Sequence, residues 1–157
     1  MHGMFSNCHN LKNIKFPDKI NTSSVTDMSS MFLNCSNLGD LHLSNFDTSN
    51  VEVMRSMFFG CQNLKKIKFP DNFNTSNVTD MACMFFKCSK LENLNLFNFD
   101  TSRVTDMRSM FNNCNSLNKV TVSNLETKDK IFKELEEAGK GWKESEDNGK
   151  FILEKLN

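Results

Sequence analysis

The sequence lacks several features that would assign it to a common functional class. It has no tyrosine, one tryptophan and two prolines among 157 residues, but fifteen phenylalanines. Its nineteen basic and nineteen acidic residues cancel, so the net charge does not favour nucleic acid or an anionic membrane surface as a partner. No run of about eighteen apolar residues is present, so we expect no membrane span. No basic and hydrophobic leader follows Met1, so we expect no signal peptide in the chain as given.

Motifs of catalysis are also missing. None of the three histidines, His2, His9 and His42, has a serine, cysteine or carboxylate partner in a repeated or motif-like setting, and no glycine-rich phosphate loop occurs. Asp27, Asp80 and Asp106 recur at equivalent positions, but the glycine-rich turn of a calcium site is absent, so we expect them to accept hydrogen bonds from nearby amides. We therefore predict a protein that is not an enzyme and has no catalytic residue and no cofactor.

What the sequence does contain is a repeat. The stretch FDTSNVEVMRSMFFGC, ending at Cys61, returns in variants that end at Cys35, Cys88 and Cys114, and its tail alone precedes Cys8. These cysteines are separated by 27, 26, 27 and 26 residues, so residues 8–60 align with residues 61–113 at an offset of 53. The longer copies carry a Pro-Asp turn at Pro17 and Pro70, which absorbs the extra residue. Repeats of this length predict units that cannot bury their apolar edges alone and that stack on one another.

The cysteines allow three interpretations, namely a chain of disulfides, a metal ladder and buried free thiols. Equivalent positions in stacked units lie about 5 Å apart, which is within range for disulfides. Zinc, however, requires four ligands that converge on one point, and a ladder spreads them along a line. We favour buried thiols that pack as small hydrophobic groups, and we predict no metal site. Cys83 stands where other copies have serine, so we expect it either to face outward or to lie at a contact between small residues, and to be the most reactive thiol.

Two apolar spacings alternate within each repeat. Val51, Met54, Met57, Phe58 and Cys61 are spaced like one face of a helix, and this predicts a short helix in every copy. The pattern Asn-Leu-x-x-Leu-x-Leu that follows predicts a short strand. The five predicted strands, which we expect to be parallel, lie at residues 13–16, 40–43, 66–69, 93–96 and 119–122.

Both motifs resemble the leucine-rich repeats of BspA-type bacterial surface proteins, and more closely a domain of unknown function in mycoplasma surface lipoproteins. The resemblance covers about residues 1–122. It implies an α/β fold, namely a leucine-rich-repeat solenoid of about five coils, each a short parallel strand plus a short helix. It also implies a protein at the cell surface or secreted, often in adhesion or host contact, and the family has no catalytic residues to carry over.

The tail, residues 123–157, departs from the repeat. A helix is predicted over residues 128–138 with Thr127 as its N-cap, and Asn148-Gly149 predicts a β-hairpin. Because the last unit of a stack needs a cover, we expect this tail to be a helix-hairpin cap on a solenoid of residues 1–122. The alternative is a separate small binding domain, although about 35 residues seldom supply enough core for one.

A binding face is expected on the outward side of the strands. Its candidate residues are the outward positions of successive strands: Lys15, His42, Lys66, Lys68, Asn95 and Thr121. We predict a non-enzymatic module that contacts a protein partner, for example a host extracellular protein, and an acidic, elongated ligand would suit the lysines. The alternative is a solvated strand face that binds nothing. Leu33, Phe59 and Phe86 form a second set, either buried against the next turn or exposed as a contact stripe.

The beginning of the chain suggests self-association. Met1 stands where Met28, Met54, Met81 and Met107 stand in the full copies, so we expect a chain that starts inside a repeat, as a fragment would. An uncovered first strand would offer unpaired backbone groups to a second copy. The candidate residues for a homodimer through this end are Met4, Phe5, Lys12 and Lys15. The competing functional class is thus a structural or self-associating spacer without a specific ligand.

Overall fold

The computed structural model describes residues 1–43 and 45–156. Its elements in chain order are β1 (Leu41–His42), β2 (Ile67–Lys68), β3 (Asn93–Asn95), β4 (Lys119–Val122), α1 (Leu125–Ala138), β5 (Trp142–Asp147) and β6 (Lys150–Lys155). β1 and β2 form one parallel sheet, and the other four strands form a second sheet in the order β3-β4-β6-β5. The predicted leucine-rich-repeat solenoid of five strand-helix coils is therefore wrong. Within the described residues there is one helix, it lies in the tail, and the sheets are two and small.

The predicted helices are replaced by consecutive β-turns. We call these stretches the turn segments; they cover residues 2–7, 29–34, 55–60, 82–87 and 108–113. In the second one, Ser30 and Asn34 have φ of 55° and 57°, in the left-handed region, which a right-handed helix cannot contain. Each is the third residue of a four-residue turn, which is closed by a hydrogen bond from the N–H of the fourth residue to the C=O of the first. In the turn that contains Ser30, for example, Met31 N–H donates to Met28 O. The apolar spacing is thus that of a turn series and not of a helix.

Alternate amides of each turn segment point to the neighbouring segment. Ser30 N–H donates to Arg55 O at 2.9 Å and Phe32 N–H donates to Met57 O at 2.9 Å. An α-helix would direct these same amides to carbonyls four residues back in its own chain. The turn segments therefore lie side by side in parallel and share their backbone hydrogen bonds.

Four of the five predicted strands are present, each two to four residues long, and the predicted strand at residues 13–16 is not assigned as one. β1 pairs in parallel with β2, with Leu41 beside Ile67, and β3 pairs in parallel with β4, with Leu94 beside Val120. Both pairs join copies spaced by 26 residues. The two junctions with 27-residue spacing, which carry Pro17 and Pro70, have no strand pairing within the described residues. The extra residue thus divides the sheet instead of being absorbed in a turn.

The opening between β2 and β3, which we call the gap, leaves main-chain groups unpaired. Leu41 N–H donates to Lys66 O and Leu43 N–H donates to Lys68 O, so the main-chain groups of Lys66 and Lys68 face β1. Since successive residues of a parallel strand direct their main-chain groups to opposite edges, those of Ile67 face the gap. Leu96 N–H likewise donates to Thr121 O of β4, so the main-chain groups of Asn93 and Asn95 face the gap from the other side.

Buried threonines keep successive repeats in register. Thr48 Oγ1 donates to Asn74 O at 2.8 Å and accepts from Asn74 N–H at 2.8 Å. Thr22 makes the same pair of bonds with Asp47, and Thr75 makes them with Asp100. These contacts cross junctions of both lengths, so the gap is confined to the strand side of the molecule.

Phenylalanine rings form a column through the core. Phe5, Phe32, Phe58, Phe85 and Phe111 stack with centroid separations of 5.3, 5.7, 5.5 and 5.9 Å. These distances lie in the range that favours aromatic pairs. One phenylalanine per repeat at a fixed position therefore produces a continuous stack, which accounts for five of the fifteen phenylalanines.

The cysteines lie beside this column as free thiols. Cys35, Cys61, Cys88 and Cys114 are buried, as predicted, and each sulfur donates to the carbonyl oxygen of a core phenylalanine from the neighbouring repeat. Cys8 is exposed, so the prediction of burial is wrong there. Burial raises the pKa of the Cys35 thiol to about 11.

The tail packs against the last repeat. α1 begins three residues earlier than predicted, because the side chain of Asn124, and not Thr127, caps it by accepting from Thr127 N–H at 2.8 Å. Ile131 and Leu135 supply its buried face. The predicted hairpin is confirmed: Asn148 and Gly149, with φ of 49° and 72°, form a turn between β5 and β6 with the positive φ pair of a type I′ turn. β6 then pairs antiparallel with β4 and extends that sheet.

Candidate functional site

A groove of about 920 Å³ runs across the outward side of the strands, and we call it the strand-face groove. It crosses both sheets and the gap between them. Residues from β1, β2, β3, β4 and β6 line it. The groove is therefore built by segments that are far apart in the sequence.

Five of the six predicted binding residues line the strand-face groove, namely His42, Lys66, Lys68, Asn95 and Thr121. The sixth, Lys15, is exposed but does not line it, and its segment forms no strand. The side chains point outward because burial alternates along each strand: Leu41, Ile67 and Leu94 are buried while their neighbours face solvent.

Positive charge predominates on the walls of the groove. Five lysines line it, against three carboxylates from Asp40, Asp71 and Glu92. Lys119 is paired with Glu154 at 3.2 Å, but no ion pair within the described residues involves Lys65, Lys66 or Lys68. All three are exposed. The middle of the groove thus holds three ammonium groups without a carboxylate partner.

An aromatic side chain stands at one side of these lysines. Phe97 is 37% exposed, an unusual setting for a phenylalanine in this chain, and the Lys150 ammonium lies 5.6 Å from its ring centroid. Sequence reasoning missed both residues. Comparison of the repeats could have indicated Phe97, since the equivalent position in the preceding double repeat is Ser44. Lys150 comes from the tail hairpin, and no local signal places it here.

Below the groove, the gap contains a cavity of about 200 Å³. Ile67, Lys68, Phe69 and Asp71 line it from the β2 side, and Asn95, Phe97, Asn98 and Phe99 line it from the β3 side. Asn98 spans the division, since its Nδ2 donates to Asp71 O at 2.9 Å. The groove and the cavity share Ile67, Lys68, Asn95 and Phe97, so the cavity opens into the groove floor.

The aspartate ladder on the other side of the molecule has a structural role. Asp27, Asp80 and Asp106 each accept a hydrogen bond from the amide two residues further on, at 2.7, 2.8 and 3.1 Å. The expectation of amide hydrogen bonding is confirmed, although the amides begin turn segments and not helices. The hydrogen bond from the Arg108 side chain holds the pKa of Asp106 well below its usual range. Among the described residues, no group of three or more potential ligands could hold a metal ion.

The structure brings together one serine–histidine–aspartate cluster, which the sequence did not predict. His2 Nδ1 lies 2.6 Å from Ser29 Oγ and 3.7 Å from Asp27 Oδ2, while the Ser29 hydroxyl donates to Asp27. In a nucleophilic triad the carboxylate and the hydroxyl contact opposite ring nitrogens. Here both contact the same nitrogen, so the cluster lacks the geometry of a proton relay.

The residues predicted for self-association are divided between core and surface. Met4 is 58% exposed, and Lys12 and Lys15 are exposed. Phe5 instead stacks on Phe32 at the start of the aromatic column. In the second predicted set, Leu33, Phe59 and Phe86 are each partly buried. The rings of Phe59 and Phe86 stack with their centroids 4.7 Å apart.

The fold and its groove define a small protein built mainly of turns and short strands, with a basic surface groove. The family model described as "Mycoplasma protein of unknown function, DUF285" matches residues 1–124, and the chain belongs to that family. This match does not support the resemblance to BspA-type leucine-rich repeats. No curated protein and no solved structure matches the chain significantly. The one helix in the described part of the chain is not long and apolar enough to cross a bilayer.

Proposed function

We propose that the protein is a non-enzymatic interaction module whose strand-face groove binds an extended, acidic segment of a partner protein. The observation that carries the proposal is the set of three exposed lysines, Lys65, Lys66 and Lys68, without carboxylate partners in the middle of a groove of about 920 Å³. Such a site attracts carboxylates, and its length across several strands suits an elongated ligand.

The proposed setting is the bacterial cell surface or the extracellular space, with a host protein as one source of the acidic segment. Support for this setting comes from the sequence resemblance to BspA-type surface proteins. The membership of a mycoplasma family of unknown function is compatible with it. The fold alone names no ligand, so the argument depends on the chemistry of the groove.

Binding of fluorescein-labelled poly-L-glutamate, followed by fluorescence anisotropy, tests this proposal. The variant combines Lys66→Glu and Lys68→Glu, and the matched control combines Lys87→Glu and Lys90→Glu, which change the same charge at exposed lysines outside the groove. Exposed ion pairs contribute about 0.2–1 kcal/mol each, so two reversals should cost about 2 kcal/mol, or roughly thirtyfold in affinity at low salt.

Salt dependence is the second readout of the same experiment. The loss should shrink to a few fold in about 1 M salt, where the Debye length is about 3 Å. The proposal fails if the groove variant and the control variant bind poly-L-glutamate equally, or if the wild-type protein binds poly-L-lysine as tightly as poly-L-glutamate.

An assembly role is the alternative function, and the exposure of Met4 favours it because exposed methionines are common in contacts between proteins. Sedimentation velocity of wild-type protein and of the Met4→Lys variant tests it. A dimer that dissociates in the variant would support assembly. If the wild-type protein is a monomer at every concentration, the assembly role is excluded.

A further inference from the structure

The gap between β2 and β3 gives the strand-face groove a second means of recognition besides charge. Ile67 on one side and Asn93 and Asn95 on the other present main-chain N–H and C=O groups that no neighbouring strand takes up within the described residues. In the free protein, water must satisfy such groups. An extended segment that enters the groove can replace that water with its own N–H and C=O groups, as peptides do at sheet edges.

The charges beside the gap have the spacing of an extended chain. Lys66 and Lys68 are exposed on the same side of β2, with buried Ile67 between them. Two residues along a strand correspond to about 6.6 Å. A segment that runs alongside β2 has its own alternate side chains at the same spacing, so two carboxylates separated by one residue can face the two ammonium groups.

The residue between those two carboxylates must point in the opposite direction, toward the floor of the groove. There it meets the cavity of about 200 Å³, to which Ile67, Phe69, Phe97 and Phe99 contribute apolar surface and Lys68, Asp71, Asn95 and Asn98 contribute polar surface. The three phenylalanine rings and Ile67 offer contacts to a branched aliphatic side chain such as that of valine or leucine.

We infer that the groove recognises an acidic–apolar–acidic triplet in an extended segment of a partner protein, which pairs through its main chain with the gap-facing groups of β2 or β3. This inference rests on the proposed function and makes it more specific. It predicts selectivity for the order of residues as well as for charge. A groove that recognised charge alone would accept any arrangement of the same carboxylates.

Three fluorescein-labelled peptides separate these possibilities. The first has the core Glu-Val-Glu-Val-Glu between Gly-Ser and Ser-Gly ends. The second has the same composition with the core Glu-Glu-Glu-Val-Val. The third keeps the alternating core but replaces the amides of both valines and the central glutamate by esters, which removes three N–H donors and keeps every side chain and charge. Binding to the full chain is measured by anisotropy at one fixed salt concentration.

The first peptide should bind about tenfold or more tightly than the second, because only alternation places valine in the cavity while carboxylates face Lys66 and Lys68. The ester peptide should lose about fivefold for each hydrogen bond removed. The variant with Lys66→Glu and Lys68→Glu should weaken all three.

Equal binding of the three peptides, with equal loss in the Lys66→Glu and Lys68→Glu variant, would overturn this inference and leave the proposed function standing. Failure of every peptide to bind while poly-L-glutamate still binds would have the same meaning. Failure of both the peptides and poly-L-glutamate would overturn the inference and the proposed function together.

Discussion

The threonine contacts between repeats can be tested by the substitution Thr48→Val. Thr48 is 1% exposed, and its hydroxyl both donates to the Asn74 carbonyl and accepts from the Asn74 amide at 2.8 Å. Valine has nearly the same shape, so the change leaves packing intact and removes both hydrogen bonds. A donor and an acceptor of the backbone are then left without partners.

Each unsatisfied group costs about 1–3 kcal/mol, so we expect Thr48→Val to lower the free energy of unfolding by about 2–4 kcal/mol. For a chain of this length that corresponds to a fall in Tm of roughly 5–15 °C. The variant Thr48→Ser keeps the hydroxyl and loses one methyl group, so it should cost only about 1 kcal/mol. Thr26→Val, at an exposed position, is the control and should have little effect.

Urea unfolding followed by far-ultraviolet circular dichroism measures all three variants. The decisive comparison is between valine and serine at position 48, because the two differ in the hydroxyl while both fill most of the site. If Thr48→Val and Thr48→Ser differ by less than about 0.5 kcal/mol, the hydroxyl does not hold the repeats in register.

Two further predictions concern the titratable groups. At pH 8 a thiol reagent should modify exposed Cys8 first and the buried Cys35 slowly, since Cys35 is inaccessible and its pKa is raised to about 11; equal rates at both positions would contradict the packing described. Glu134 is 9% exposed and lies in the interface between α1 and the last repeat. Burial is the main cause that raises its pKa, and the negative charge of nearby Glu137 raises it further. A carboxyl whose pKa is higher in the folded state destabilises the fold at neutral pH, and this cost disappears as the pH falls through the folded-state pKa. Glu134→Gln should therefore stabilise the protein at pH 7 and lose that advantage toward pH 4 in thermal unfolding, whereas a pH-independent difference would refute the assignment.

The wrong prediction of helices has a specific cause. The spacing of Val51, Met54, Met57, Phe58 and Cys61 places apolar groups on one side of a helix, but two closed turns produce the same spacing. The residue before each repeat cysteine carried the contrary signal. It is asparagine or glycine in four copies, as at Asn34 and Gly60, and these residues tolerate positive φ. Lys87 adopts φ of 60° at the equivalent position, at a cost of about 1 kcal/mol. The peptide group between Phe86 and Lys87 holds it there, because Lys87 N–H donates to Asn112 O and Phe86 O accepts from Gly60 N–H.

The site was predictable where it depends on local alternation and not where it depends on long-range packing. Alternation along the strands identified Lys66, Lys68 and Asn95 as outward residues, and the structure places them in one groove. Lys150 could not be predicted there, since it reaches the groove through the pairing of β6 with β4. The gap was also missed, because a spacing of 27 residues does not by itself indicate whether the extra residue is absorbed or separates two strands.

Amide hydrogen exchange at single-residue resolution tests the central claim most directly, because the claim depends on an open gap between β2 and β3. In the free protein, the amides of Leu41 and Leu96 donate within their sheets and should exchange slowly. The amides of Ile67 and Asn95, which face the gap, should exchange at least about a hundredfold faster, and that of Ile67 should slow when the Glu-Val-Glu-Val-Glu peptide binds. If the Ile67 amide exchanges as slowly as that of Leu41 in the free protein, the sheet is continuous and the account of the groove is wrong.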